Sequence, residues 1–132
     1  MFTQQETFDM ACSAMIQQWR PCFKYRDGDI DNLTFQMPRY KLNNLCCPVG
    51  SLIPPELYHP HFEGRRVNNN LISDVLSKLG HSVTLCSLLQ PCHDDWFGTI
   101  QDIPFMPYFI ERARKVAKLL GLDPSVLDRK SK

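Results

Sequence analysis

Four stretches of the chain carry apolar residues at helical spacing, each bounded by residues that start or stop helices, and this leaves little room for any other fold class. Thr3-Gln4-Gln5-Glu6 has the form of a capping box, in which the Thr3 hydroxyl and the Glu6 carboxylate satisfy free backbone N–H groups. Behind it Phe8, Ala11, Cys12, Met15, Ile16 and Trp19 share one face until Pro21. The second stretch pairs a cap from Asn68, Asn69 or Asn70 with Leu71, Ile72, Val75, Leu76 and Leu79, and Gly80 closes it. Ser82 caps the third, whose inward residues are Val83, Leu85, Cys86, Leu88 and Leu89, and Pro91 is expected to kink or end it near Cys92-His93-Asp94-Asp95. The fourth follows Pro104 and Pro107, with Phe109, Ile110, Ala113, Val116, Ala117 and Leu120 inward and Gly121 at its end. Asp123-Pro124 then starts a short final turn through Leu127. The expected helices cover about 3–19, 69–79, 82–93 and 107–120, with ends good to ~2–4 residues.

The segment between the first two helices is of another kind. Phe23 and Tyr25, then Leu33, Phe35 and Met37, alternate with polar neighbours around the turn-forming run Asp27-Gly28-Asp29-Ile30-Asp31-Asn32. That pattern allows a short irregular β-hairpin. A calcium loop starting at Asp27 would need Gly and Glu where Asn32 and Pro38 stand, so an EF-hand is rejected. Prolines and Gly50 between residues 45 and 58 predict turns, with one helical turn after Pro54. The reading is a mainly α protein: a single compact helical domain, residues 1–132, of about four main helices with an irregular insert between helices 1 and 2.

The 132 residues are enough for one domain that buries about 65–70% of its unfolded surface without a metal or disulfide staple. Hydrophobic residues at 43% and charged residues at 22% argue for a globular chain. A net charge of +1 provides no general field for nucleic acid or anionic membrane. No apolar run reaches the ~18 residues of a membrane span. Residues 1–6 lack the features of a signal peptide, so a cytoplasmic location and free thiols at most of the six cysteines are expected. No cofactor motif and no oligomeric state follow from the sequence.

Three constellations carry candidate chemistry. Cys47, His93 and Asp94 are the residue types of a thiol nucleophile, a base and an orienting carboxylate. Their plain alternative is a buried turn cysteine and a capped, kinked helix end, and His93 and Asp94, adjacent in sequence, are awkward as a relay. Cys46, Cys47, His59, His61, Cys92 and His93 are zinc-type ligands at spacings that match no zinc motif. Arg112, Arg114, Lys115 and Lys118 make the last helix basic, which a solvated face near a helix C-terminus explains without nucleic acid. Aromatics gather in the irregular regions (Phe23, Tyr25, Phe35, Tyr40, Tyr58, Phe62, Trp96, Phe97, Phe105 and Tyr108), where each either plugs the core edge or anchors a partner.

Cys47-Pro48-Val49-Gly50-Ser51-Leu52-Ile53-Pro54-Pro55-Glu56-Leu57-Tyr58, followed by Glu63-Gly64, resembles a pattern of small bacterial and phage proteins. There Cys-Ala-Val/Ile-Gly leads into Leu-Ile-Pro-x-Glu-x-Tyr and then Glu-Gly. Tyr25-Arg26-Asp27-Gly28 upstream and Leu89-Gln90-Pro91-Cys92-His93-Asp94 downstream extend the likeness over most of the chain. It departs at Pro48, where the pattern has Ala, and in a longer stretch between Asp27 and Leu45. The resemblance implies a phage, prophage or bacterial origin and no mechanism. The expected function is therefore an accessory protein that binds a host protein, as an inhibitor of a defence protein, through Tyr25, Arg26, Cys47, Gly50, Glu56, Tyr58, His93 and Asp94. A thiol enzyme built on Cys47 and His93, and a zinc-stabilised binding module, are the alternatives.

Overall fold

The computed structural model describes residues 1–24, 37–98 and 103–129. The order of elements is α1 (Gln4–Gln18), β1 (Phe23–Lys24), β2 (Met37–Pro38), β3 (Lys41–Leu42), β4 (Leu45–Cys46), α2 (Asn70–Leu79), α3 (Val83–Asp94) and α4 (Phe105–Leu120). Short 3-10 turns at Gly50–Leu52, Pro55–Leu57 and Pro60–Phe62 join β4 to α2, and Ser125–Asp128 forms another after α4. The mainly α domain with an irregular insert is what the apolar spacing requires.

The caps act as their chemistry dictates. Thr3 Oγ1 accepts from Glu6 N at 3.0 Å and Glu6 Oε1 accepts from Thr3 N at 2.9 Å. Among the three candidate asparagines Asn69 caps α2, accepting from Leu71 N at 3.0 Å, and Ser82 caps α3. Gly80 and Gly121 end their helices in the left-handed region. One proline behaves differently from expectation. Pro107 lies inside the first turn of α4, which starts at Phe105. That costs nothing in hydrogen bonds, because N–H groups of a first turn have no helical partner. Pro91 is followed by the helix end expected near Cys92–Asp95: α3 stops at Asp94 and tightens into the 3-10 turn Asp95–Gly98.

Among the described residues the insert forms two antiparallel ladders. Phe23 and Lys24 pair with Pro38 and Met37, and Lys41 and Leu42 pair with Cys46 and Leu45. The second, turning through Asn43 at φ 55°, has no alternating apolar signature and was not expected. Tyr25, Arg26, the run Asp27–Asn32, Leu33 and Phe35 lie outside the described residues.

Phe8, Ala11, Cys12 and Met15 of α1 meet Ile72 and Leu76 of α2, Leu85, Cys86 and Leu89 of α3, and Phe109, Ala113 and Ala117 of α4 in one core, all at 0% exposure. Among the described residues no helix is long and apolar enough to cross a membrane. Phe2 N donates to Gly80 O at 3.0 Å, and the Phe2 ring stacks on His81 at 4.5 Å. His81 Nδ1 lies 2.7 Å from Thr7 Oγ1. Burial, and then the nearby amino terminus, pull His81 below its ordinary value of 6.5. Below pH 6.5 the unfolded chain therefore binds a proton that the folded chain refuses. This part of the stability is complete above pH 6.5 and is lost as pH falls through the lower folded value. Denaturant titrations from pH 7.5 to 5 are expected to show wild type losing stability faster than His81→Gln. Equal slopes would remove His81 from the balance.

Candidate functional site

The Cys47–Gly50 turn and the end of α3 meet, and Gln90 is the residue that joins them. Its Oε1 accepts from Cys47 Sγ at 3.3 Å and from Val49 N at 3.2 Å. Its Nε2 donates to Asp94 Oδ1 at 2.9 Å, one helical turn further on. Asp94 Oδ1 also lies 2.7 Å from His93 Nδ1. The other imidazole nitrogen, Nε2, accepts from the backbone N–H of Cys22 at 2.8 Å. An amide N–H can only donate, so Nε2 carries no proton. The ring proton is on Nδ1, donated to Asp94. His93 is at 0% exposure and packs edge-on against Phe23 and Phe105, at 5.0 and 5.4 Å between ring centres.

This arrangement is the reverse of a thiol–base pair. Cys47 Sγ faces Gln90 and accepts from Gly50 N at 3.2 Å, while both nitrogens of His93 are engaged elsewhere. Burial, and then the negative charge of Asp94, hold the Cys47 thiol well above the usual cysteine range. A nucleophile needs the opposite shift. Gly50 has the role its lack of a side chain suggests: a Cβ there would sit 2.0 Å from the Tyr40 carbonyl oxygen.

All six cysteines are free. Burial pushes Cys22, Cys86 and Cys92 up to about 12. Only Cys46 is half-buried; the other five are buried. Thiol counting on denatured protein purified without reductant is expected to give six. In the folded protein Cys46 is expected to react first with a maleimide. Fewer than six thiols, or first labelling at Cys47, would contradict the buried thiol state. Among the described residues no group of three or more metal-binding side chains comes together. The rings of His59 and His61 lie 4.4 Å apart, tilted by 59°, as an exposed pair, with His59 Nδ1 accepting from His61 N at 3.0 Å.

A second cluster, missed from sequence, is organised by Glu63. Its Oε1 accepts from Tyr40 N at 2.8 Å, and its Oε2 accepts from Lys41 N at 3.2 Å and Tyr58 OH at 2.5 Å. Arg39 Nε lies 3.2 Å from Oε1 as an ion pair, without the angle of a hydrogen bond. Tyr40 OH donates to Arg65 O at 2.6 Å, clamping the β2–β3 segment onto the chain after Phe62. Tyr58 thus belongs to this clamp, whereas Glu56 is exposed and joins neither cluster.

Between the two clusters lies a cleft of about 610 Å³. Met37–Tyr40 and Gly64–Asn68 form one side, and Ser87, Gln90, Pro91, Asp94 and Asp95 the other. Arg39, Arg65 and Arg66 contribute three guanidinium groups. Arg39 is balanced by Glu63, and Asp95 is paired with Arg112 at 3.8 Å. Among the described residues the Arg66 side chain makes no hydrogen bond or ion pair, the Arg65 side chain uses only its Nε, on His61 O at 2.7 Å, and Asp94 Oδ2 has no partner. Of the candidate binding residues among those described, the structure brings only Asp94 to this cleft, with Cys47, Gly50 and His93 bracing the wall behind it. The arginines carried no periodic signal; Glu63-Gly64 and Gln90, within the resembling motifs, were the available hints.

Of the aromatics expected in part as surface anchors, Phe23, Tyr40, Phe62, Phe105 and Tyr108 are buried plugs, whereas Tyr58 and Trp96 are half-buried. The basic side chains of α4 are largely paired, Arg112 with Asp95, Arg114 with Asp128 and Lys115 with Glu111. No family model matches the chain, and no curated protein or solved structure matches it either.

Proposed function

We propose that this is a binding protein without thiol chemistry, a phage, prophage or bacterial accessory protein of the cytoplasm that acts on a host protein, as an inhibitor, through the arginine-lined cleft. One observation carries the reading. The residues suited to catalysis are consumed in holding the fold, whereas Arg65, Arg66 and Asp94 offer uncommitted charge on facing walls of an open cleft. Rigid elements with exposed, unpaired charge suit recognition by complementarity.

The test is retention of a partner in the source cell by tagged wild type, by Arg65→Ala/Arg66→Ala and by Cys47→Ser. The double variant removes exposed side chains, so its helical circular dichroism and melting are expected to match wild type within about 0.5 kcal/mol. The expected result is a partner held by wild type and by Cys47→Ser, and lost at least tenfold by the double variant. Retention by the double variant would move the interface elsewhere. Loss of function in a folded Cys47→Ser would revive the thiol enzyme.

A further inference from the structure

We infer that the cleft recognises an acidic peptide segment of its partner, a carboxylate docking on Arg65 and Arg66 while peptide N–H groups bond the opposite wall. This rests on the cleft being the binding site. With Arg39 answered by Glu63 and Asp95 by Arg112, the groups left over are the guanidinium of Arg66 and the Nη atoms of its sequence neighbour Arg65 on one side, and one carboxylate oxygen of Asp94 on the other. Guanidinium forks match carboxylates geometrically, and two in succession select an anion.

The opposite wall calls for donors. Asp94 Oδ1 is filled by Gln90 and His93, which leaves Oδ2 to accept. Pro91 has no N–H to give the Ser87 carbonyl one turn earlier, and Ser87 and Pro91 both line the cleft. A backbone acceptor without its helical donor therefore lies on the same wall as Asp94. A peptide supplies such N–H donors at regular intervals; a simple anion does not.

Exposure favours a segment over a small metabolite. Arg65 and Arg66 are exposed, and Asp94 is 31% exposed. Single ion pairs in such settings contribute only ~0–1 kcal/mol. Small-ligand sites instead bury about 70–90% of the ligand. Binding here must add several weak contacts along an extended chain, and Met37, 59% exposed, offers an apolar one at the rim.

The experiment is a synthetic array of random nonapeptides, each made with an amidated and with a free carboxyl terminus, probed with labelled wild type and Arg65→Ala/Arg66→Ala. Adenosine monophosphate serves as a small-anion control by thermal shift. The expected result is enrichment of Asp and Glu among bound peptides, at least tenfold weaker binding by the double variant, and loss of the preference at 0.5 M salt. Enrichment confined to free termini would assign the carboxylate to a chain end, and enrichment in amidated peptides to side chains; both support the inference. No acidic preference, a preference unchanged in the double variant, or a shift with the nucleotide alone would overturn it. Partner loss by the double variant without acidic enrichment would leave the cleft as the interface and remove only its ligand chemistry. Acidic enrichment without a cellular partner would do the converse.

Discussion

Gly50→Ala is expected to destabilise the protein by about 3 kcal/mol, the upper end of the range for forcing a methyl group into a packed site. The added Cβ would lie 2.0 Å from Tyr40 O, 2.8 Å from Tyr40 C and 3.2 Å from Tyr40 Cα, so the obstacle is backbone and not a side chain that can rotate away. That backbone is fixed on several sides. Tyr40 O accepts from Cys47 N at 3.0 Å, Tyr40 N donates to Glu63, and Tyr40 OH donates to Arg65 O. Relief would have to displace the clamp that forms one wall of the cleft. A melting temperature lower by about 10 °C follows for a domain of this size. Gly64→Ala is the control. Gly64 has φ +79° with nothing within 4 Å of the added atom, so only conformational strain of about 1 kcal/mol applies. Equal losses at the two positions would show that the close approach at Gly50 yields without resistance.

His93→Ala is expected to cost about 4 kcal/mol, combining a cavity with unsatisfied buried polar groups. The cavity opens among Phe23, Phe105 and the core, because the ring is fully buried between them. The N–H of Cys22 loses its acceptor, and Asp94 loses a donor. His93→Gln should recover about half of the loss, since a glutamine carbonyl can reach the position of Nε2 and accept from Cys22 N. The order wild type, Gln, Ala in denaturant midpoint, with any loss of partner binding following the loss of fold, is the structural signature. A folded His93→Ala of wild-type stability that has lost function would point to chemistry at this histidine.

The same residue shows how far sequence reasoning reached. Cys47, Gly50, Gln90, His93 and Asp94 all stand in the motifs that marked this corner, and the structure brings the turn and the helix end together through Gln90. Their roles were not legible. Residue types alone suggest a nucleophile and a base, but the chemistry depends on which atoms face each other. Cys47 meets Gln90 across 43 positions, and His93 meets Cys22 across 71. Glu63 was quoted only as a motif letter, although it joins Arg39, Tyr40, Lys41 and Tyr58 into the clamp. No motif or periodicity singles out Arg65 and Arg66, which the fold brings into one cleft with Asp94.

The sequence by itself determined the helices and their ends, because those depend on interactions reaching no further than one turn. The Thr3–Glu6 box, the Asn69 and Ser82 caps, and the left-handed glycines at Gly80 and Gly121 are local statements, as is the apolar stripe that commits each helix to the core. Only the tertiary structure decided the tautomer of His93, the protonated state of the Cys47 thiol, the clamp on Glu63 and the charge left over in the cleft. Each of these is set by burial and by partners distant in the chain, and such pairings leave no period in the sequence.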